Sequence, residues 1–146
     1  MTEQKGNPIF IDSNVWLYAI AKQSDERKQA VAQQLIQQQS DIIVLSEQVI
    51  NEVCVNLVKS KNISEDKIRA LVNSFYKHYT VNELDECVFI SASFLREKHS
   101  FSYYDSLIVA SALEGNAEIL YTEDMQHGLM VDERLTILNP FLTSNL

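Results

Sequence analysis

The sequence contains few of the residues that loop-rich, disulfide-bonded or membrane-spanning proteins need. It has three glycines and two prolines in 146 residues, and it shows no low-complexity segment and no internal repeat. Its cysteines, Cys54 and Cys87, lack the C-x-x-C spacing of zinc and redox sites, so we expect free thiols in a reducing compartment. No apolar run approaches the ~18 residues that span a bilayer, and the first residues, MTEQKGN, lack a signal-peptide pattern. We therefore expect a soluble, cytoplasmic protein with no membrane partner.

Two further absences bear on function. The sequence has neither a G-x-x-x-x-G-K-[ST] loop nor a G-x-G-x-x-G motif, and His78, His99 and His127 have no metal-binding or triad spacing. Positive charge is also scarce, because 12 Lys and Arg stand against 20 Asp and Glu, for a formal net charge of -8. Taken alone, this charge argues against a nucleic-acid partner, since phosphate binding is usually driven by a basic surface.

Short apolar segments alternate with amphipathic segments along the chain. The alternation predicts one α/β domain over residues 1–146, with three α/β/α layers around a mainly parallel sheet. The predicted strands are PIFI (8–11), DIIVLS (41–46), HYTVN (78–82), AEILYT (117–122) and LTIL (135–138). Six predicted helices fill the segments between the first four strands. We expect Ser13 or Asn14 to cap the first helix, and Val58 and Tyr76 to share the apolar faces of the third and fourth.

Four acidic residues that are far apart in the sequence are predicted to meet. Asp12 follows the first strand and Asp124 follows the fourth, so both belong at the carboxyl edge of a parallel sheet, where ligands bind in such folds. Glu52 belongs to a helix that begins at this edge, and Asp105 lies in the first turn of the helix that leads into the fourth strand. An unpaired acid at the end of a buried strand is costly unless it has a function.

Clustered carboxylates favour a metal-ion interpretation. They repel one another unless protons or cations compensate them. Mg²⁺ suits such a cluster, because it prefers oxygen ligands at about 2.1 Å. Two such ions ~4 Å apart can activate a water and stabilise the leaving oxygen of a phosphodiester.

Simpler interpretations of the same residues stay open. Asp105 follows Ser102 in the S-x-x-D pattern of a helix cap, and Glu52 can be an exposed helix position. Asp124 can belong to an ordinary turn. The aromatic pair at 103–104 can stack on a base, although aromatic residues at a helix start are more often part of the core.

The chain resembles the PIN domain family, and in size it resembles the VapC-type toxins of prokaryotic toxin–antitoxin pairs. The likeness rests on FIDSNVWLYA, LSEQVINEV, SYYDSLIVASAL and LYTEDMQHG, and it covers nearly the whole chain. That family cleaves RNA with Mg²⁺ or Mn²⁺ held by acidic residues. The resemblance therefore implies catalytic and metal-ligand roles for Asp12, Glu52, Asp105 and Asp124, with Asn14 and Thr122 in supporting polar positions. Glu123 adjoins a family position without matching it, and we leave it out.

The resemblance also addresses the acidic net charge. Two Mg²⁺ ions would add four positive charges and move the formal charge from -8 to -4, and the ions themselves would attract phosphate. Four basic residues near the junction of the third and fourth helices are candidates for an RNA-binding lip, with an ordinary solvated loop as the alternative: Lys59, Lys61, Lys67 and Arg69.

The leading hypothesis is a metal-dependent endoribonuclease that acts as a toxin, has a cognate antitoxin and uses water as its nucleophile. The alternative is an inactive module that keeps the fold and binds RNA or protein, which the presence of all four acids disfavours. A phosphatase with Asp12 as covalent nucleophile is disfavoured because the motif is D-x-N and not D-x-D. We also expect a homodimer, from the resemblance and from the apolar residues of the helices over 66–76 and 85–98.

Overall fold

The structure is a computed structural model, and it describes residues 6–21, 25–60 and 63–142. Six strands form one sheet: β1 (Ile9–Ile11), β2 (Ile43–Ser46), β3 (Thr80–Asn82), β4 (Ile119–Tyr121), β5 (Met130–Val131) and β6 (Leu135–Leu138). Six α-helices accompany them: α1 (Ser13–Ile20), α2 (Glu26–Gln38), α3 (Glu47–Ser60), α4 (Glu65–His78), α5 (Glu86–Lys98) and α6 (Tyr103–Glu114).

The strands lie in the order β3-β2-β1-β4-β6-β5, and every neighbouring pair is parallel except β5 with β6. Helices cover the sheet in three α/β/α layers, which confirms the predicted fold class. α5 packs on α6, while α1 packs on α2 and α3, and α3 packs on α4. Parallel strands need crossover connections, and helices provide them from β1 to β4, whereas β4 and β6 are connected through β5.

β1 and α6 form the centre of the core. The three residues of β1 are at most 4% exposed, because the strand has β2 on one side, β4 on the other and helices on both faces. In α6, every residue from Ser106 to Leu113 is buried. A helix buried all round shows no amphipathic period, which explains why the sequence SLIVASAL is apolar without a polar face. Both elements are therefore anchored in the core, and they position the residues at their ends.

The structure corrects several local predictions. Asp12, and not Ser13 or Asn14, caps α1, because its side chain accepts a hydrogen bond from the Ser13 amide. Residues Ser40–Ile42 form a 3₁₀ turn before β2, where the sequence suggested strand. The short strand β5 was not predicted, since two residues are too few for a periodic signal.

Two residues that were assigned to apolar helix faces are exposed. Val58 is 46% exposed and Tyr76 is 54% exposed. The apolar stripes of α3 and α4 are wider than the surface that the rest of the protein covers. Within the described part of the chain, none of the helices has the length and apolar character needed to cross a bilayer.

Candidate metal centre

Asp12 lies at the carboxyl end of β1, in the middle of the sheet. Its amide donates to the Tyr121 carbonyl at 3.0 Å, which continues the β1–β4 ladder by one residue. The carboxylate accepts from the Ser13 amide at 2.7 Å and from the Thr122 hydroxyl at 2.9 Å. It is only 4% exposed. Burial raises the pKa of Asp12 to about 7, against the two hydrogen bonds that lower it, and the charges of Glu52 and Asp124 raise it further.

Glu52 reaches the same region from α3. The Ser13 hydroxyl donates to one of its oxygens at 2.6 Å, and the Gln48 amide donates to the other at 3.0 Å. Gln48 lies one helical turn before Glu52 and is buried, and it also donates to the Tyr104 carbonyl at 3.4 Å. The Glu52 carboxylate is therefore oriented by two donors and linked through Gln48 to the start of α6.

Asp105 belongs to the first turn of α6, as the capping interpretation requires. Its backbone amide donates to the Ser102 hydroxyl at 3.1 Å, so Ser102 is the cap. The Asp105 side chain lines a cavity of about 430 Å³ together with Asp124. Burial raises the pKa of Asp105, the hydrogen bond with Ser102 lowers it, and the charges of Asp124 and Glu52 raise it. Capping and a place in the acidic cluster therefore coexist at this residue.

Asp124 is the exposed member of the cluster and follows β4 by three residues. Asn14 donates from its side-chain amide to the Asp124 carboxylate at 2.9 Å and to the Thr122 hydroxyl at 3.2 Å. The Asp124 amide donates to the same hydroxyl at 3.1 Å. Thr122 is fully buried and also donates to Asp12, so it joins the segments after β1 and β4.

Glu123 faces a different environment from its two neighbours. Its carboxylate forms a salt bridge with Lys28 of α2 and accepts from the Tyr18 hydroxyl at 2.9 Å. Its amide donates to the Asn14 side chain at 3.2 Å. Glu123 thus anchors the segment that carries Asp124, while its own charge is neutralised by Lys28.

The four acids have no cationic partner among the described residues, where the one salt bridge joins Lys28 and Glu123. Burial is the main cause of the raised pKa values of Asp12 and Asp105, and the charges of Glu52 and Asp124 raise both values further. In residues 6–21, 25–60 and 63–142, no three acidic, His or Cys side chains converge tightly enough to form a complete cage for one ion. An open set of carboxylates suits Mg²⁺, which keeps several waters and is usually bound through one or two protein carboxylates.

Ser13 and Gln48 were not identified from the sequence, although they hold Glu52 directly. Gln48 carried a usable signal, because residues four apart on a helix lie on the same face. Ser13 carried one as well, since it adjoins Asp12 at the carboxyl edge of the sheet.

The predicted basic lip does not line the cavity that contains Asp105 and Asp124. Lys59, Lys67 and Arg69 are exposed, and Lys67 instead lines a separate groove with Ile20 and Leu57. Lys61 lies outside the described residues.

Comparison with known proteins agrees with this architecture. The family model described as "PIN domain" matches residues 9–128, which is most of the chain. The chain belongs to the PIN domain family. PIN domains are nucleases, and they generally use divalent metal ions. No curated protein sequence matches this chain.

Several solved structures have the PIN fold of this chain. A toxin–antitoxin complex from Klebsiella pneumoniae superimposes with a TM-score of 0.68 at 14% identity, over 90% of this chain and 97% of that one. VapC20 from Mycobacterium tuberculosis is described as a toxin that cleaves the sarcin-ricin loop. It superimposes with a TM-score of 0.62 at 17% identity, over 80% of this chain and 91% of VapC20. DNA-bound VapBC from Salmonella typhimurium superimposes with a TM-score of 0.65 at 14% identity, over 90% of this chain and 98% of that one. At these identities the similarity is one of fold.

Proposed function

We propose that this PIN domain is a Mg²⁺- or Mn²⁺-dependent endoribonuclease and the toxin of a toxin–antitoxin pair. The observation that supports the proposal is the electrostatic proximity of four carboxylates, Asp12, Glu52, Asp105 and Asp124, which have no cationic partner among the residues that the structure describes. Carboxylates in such an arrangement repel one another unless protons or cations compensate their charges. The Asp12 carboxyl is 4% exposed and its pKa is raised to about 7, so near neutral pH it binds a proton that a cation could replace.

Asp12, Glu52, Asp105 and Asp124 would hold the metal. A bound divalent ion supplies an activated water and stabilises the charge that develops on the scissile phosphate. The protein's part is orientation: Ser13 and Gln48 fix the Glu52 carboxylate, and Thr122 fixes that of Asp12. Asp12 would give up its proton when a cation binds, because a metal ligand must be ionised.

An antitoxin partner is supported by the PIN-fold structures described as toxin–antitoxin or VapBC complexes. This chain also has a groove of about 740 Å³ between the end of α1 and helices α3 and α4, lined by Ile20, Leu57 and Leu71 among others. An amphipathic antitoxin helix fits such a surface. RNA as the substrate class is supported by the description of VapC20 as a toxin that cleaves the sarcin-ricin loop.

A homodimer is also proposed, with α5 as its contact surface. Phe89, Ile90 and Phe94 are 44%, 54% and 59% exposed on this one helix. An exposed cluster of large apolar side chains is typical of an interface. The enzyme would act as this dimer in the cytoplasm.

The test is hydrolysis of an end-labelled RNA by purified protein in Mg²⁺, in Mn²⁺ and in excess EDTA. Wild type should cleave only with metal, and Asp12→Asn and Asp105→Asn should each lose the activity. Asp66→Asn is a matched control, because Asp66 is an exposed acid in the first turn of α4. Cleavage in EDTA, or by both active-site variants, would refute the proposal. RNA binding without cleavage under any metal condition would favour the inactive-module alternative.

A further inference from the structure

Two aromatic side chains are exposed at the start of α6. Tyr103 is 51% and Tyr104 66% exposed, and their rings meet edge to face with centroids 5.6 Å apart. The expectation that aromatic residues at this helix start belong to the core is therefore wrong here. The core contacts of α6 begin with Ser106 and continue through Leu107.

The tyrosine pair directly precedes Asp105 in the chain. Consecutive Cα atoms are about 3.8 Å apart, so the Tyr104 side chain begins next to the residue that lines the acidic cavity. The Tyr104 carbonyl accepts from Gln48, which also donates to Glu52. The Tyr104 backbone is thus linked through Gln48 to Glu52, one of the four acids.

Positive charge lies beside the pair, in a chain whose net charge is -8. The Arg96 guanidinium lies 4.8 Å from the centroid of the Tyr103 ring, and it donates to the buried Ser106 hydroxyl at 2.7 Å. Among the residues that the structure describes, no carboxylate pairs with Arg96. Lys98, two residues further along α5, lines the cavity that contains Asp105 and Asp124.

We propose that Tyr103 and Tyr104 form a stacking platform for an unpaired nucleobase of the substrate, with Arg96 and Lys98 near the adjoining phosphates. Aromatic rings beside a basic surface are the means by which proteins hold single-stranded nucleic acid. Because Arg96 covers one face of Tyr103, the more exposed ring of Tyr104 is the principal contact. The proposal deepens the proposed function and rests on it, and it makes single-stranded RNA the preferred substrate.

The platform is tested by RNA binding, separately from cleavage. A short single-stranded RNA with one 2-aminopurine is titrated in Ca²⁺, and its integrity is checked on a gel after the titration. Tyr104→Ala should weaken binding by about 5- to 150-fold, the usual effect of losing one base–aromatic stack, and should remove the quenching of 2-aminopurine fluorescence. Tyr104→Phe should keep the wild-type RNA affinity and the quenching of 2-aminopurine fluorescence, since stacking needs the ring and not the hydroxyl. Tyr76→Ala is the control, because Tyr76 is 54% exposed on α4.

Three results would overturn the platform. These are unchanged affinity in Tyr104→Ala, equal loss in Tyr76→Ala, and a change of Tyr104→Ala from dimer to monomer in light scattering. The last would assign the pair to a contact with a second copy of the chain. Cleavage assays test the proposed function separately. If cleavage depends on Asp12 but the KM of Tyr104→Ala is unchanged, the platform is wrong and the proposed function stands. Tyr104-dependent binding without any metal-dependent cleavage would remove the proposed function and leave the platform.

Discussion

Replacing Asp12 with Asn is expected to stabilise the metal-free protein, and to do so far more at pH 8 than at pH 5. The Asp12 carboxylate is 4% exposed, and burial raises its pKa from an ordinary value of 3.8 to about 7. The folded protein therefore binds the Asp12 proton more tightly than the unfolded chain does. Stability from this residue is fully present below pH 3.8 and is lost as the pH rises through about 7.

The size of the effect follows from the two pKa values. At about 1.36 kcal/mol for each unit of pKa difference, ionisation of Asp12 costs the folded state about 4 kcal/mol at alkaline pH. About 3 kcal/mol of unfolding free energy is lost in this way between pH 5 and pH 8. Asn has no such titration. The NH₂ group of Asn cannot accept the hydrogen bond that the Thr122 hydroxyl donates to Asp12. This loss costs about 1 kcal/mol at both pH values, so it cancels when the two pH values are compared.

Urea unfolding of wild type and Asp12→Asn in EDTA, at pH 5 and at pH 8, measures this difference. The gain in unfolding free energy should be larger at pH 8 than at pH 5 by about 3 kcal/mol. Asp66→Asn, which changes an exposed acid of α4, is the matched control. Equal effects of Asp12→Asn at the two pH values would refute the reasoning, because the buried carboxylate would then titrate as it does in the unfolded chain.

Two other predictions concern partners. If an antitoxin inserts an Arg or Lys side chain among the four acids, Asp12→Asn or Asp105→Asn should weaken antitoxin binding by about 2 kcal/mol or more, measured by calorimetry; unchanged affinity would mean that inhibition acts from elsewhere. If α5 forms the homodimer, Phe94→Glu should give a monomer by light scattering at tens of micromolar, while Val55→Glu on α3, also at an exposed apolar position, should stay dimeric. A wild-type monomer would contradict the dimer itself.

The parallel sheet and the convergence of the acids could be predicted because their signals are local. A buried strand such as Ile9–Ile11 is a short apolar run, and an acid at its end falls at the carboxyl edge in any parallel sheet. Asp12 and Asp124 were placed at this edge by the same argument, and the structure brings them within electrostatic reach of each other.

Exposure at the ends and flanks of helices could not be predicted in this way. Tyr76 and Tyr104 are aromatic, and aromatic residues are often buried. Their exposure depends on the extent of the sheet and on the arrangement of the neighbouring helices. Individual hydrogen bonds between side chains of different elements also could not be predicted from the sequence. Ser13 and Glu52 are separated by 39 positions, and their segments indicate a shared edge of the sheet without specifying a hydrogen bond between the two side chains.

Direct binding of Mn²⁺ is the measurement that tests the central claim, because it depends on the carboxylate cluster and not on the choice of RNA. Free Mn²⁺ is followed by electron paramagnetic resonance during titration of wild type, Asp12→Asn, Asp105→Asn and the Asp66→Asn control. Wild type and Asp66→Asn should bind Mn²⁺ with the same affinity. The two cluster variants should bind at least about ten-fold more weakly, because losing even a group that only orients a ligand costs about 10- to 100-fold in metal affinity. Equal Mn²⁺ affinity in all four proteins would contradict the claim that these acids form a metal centre.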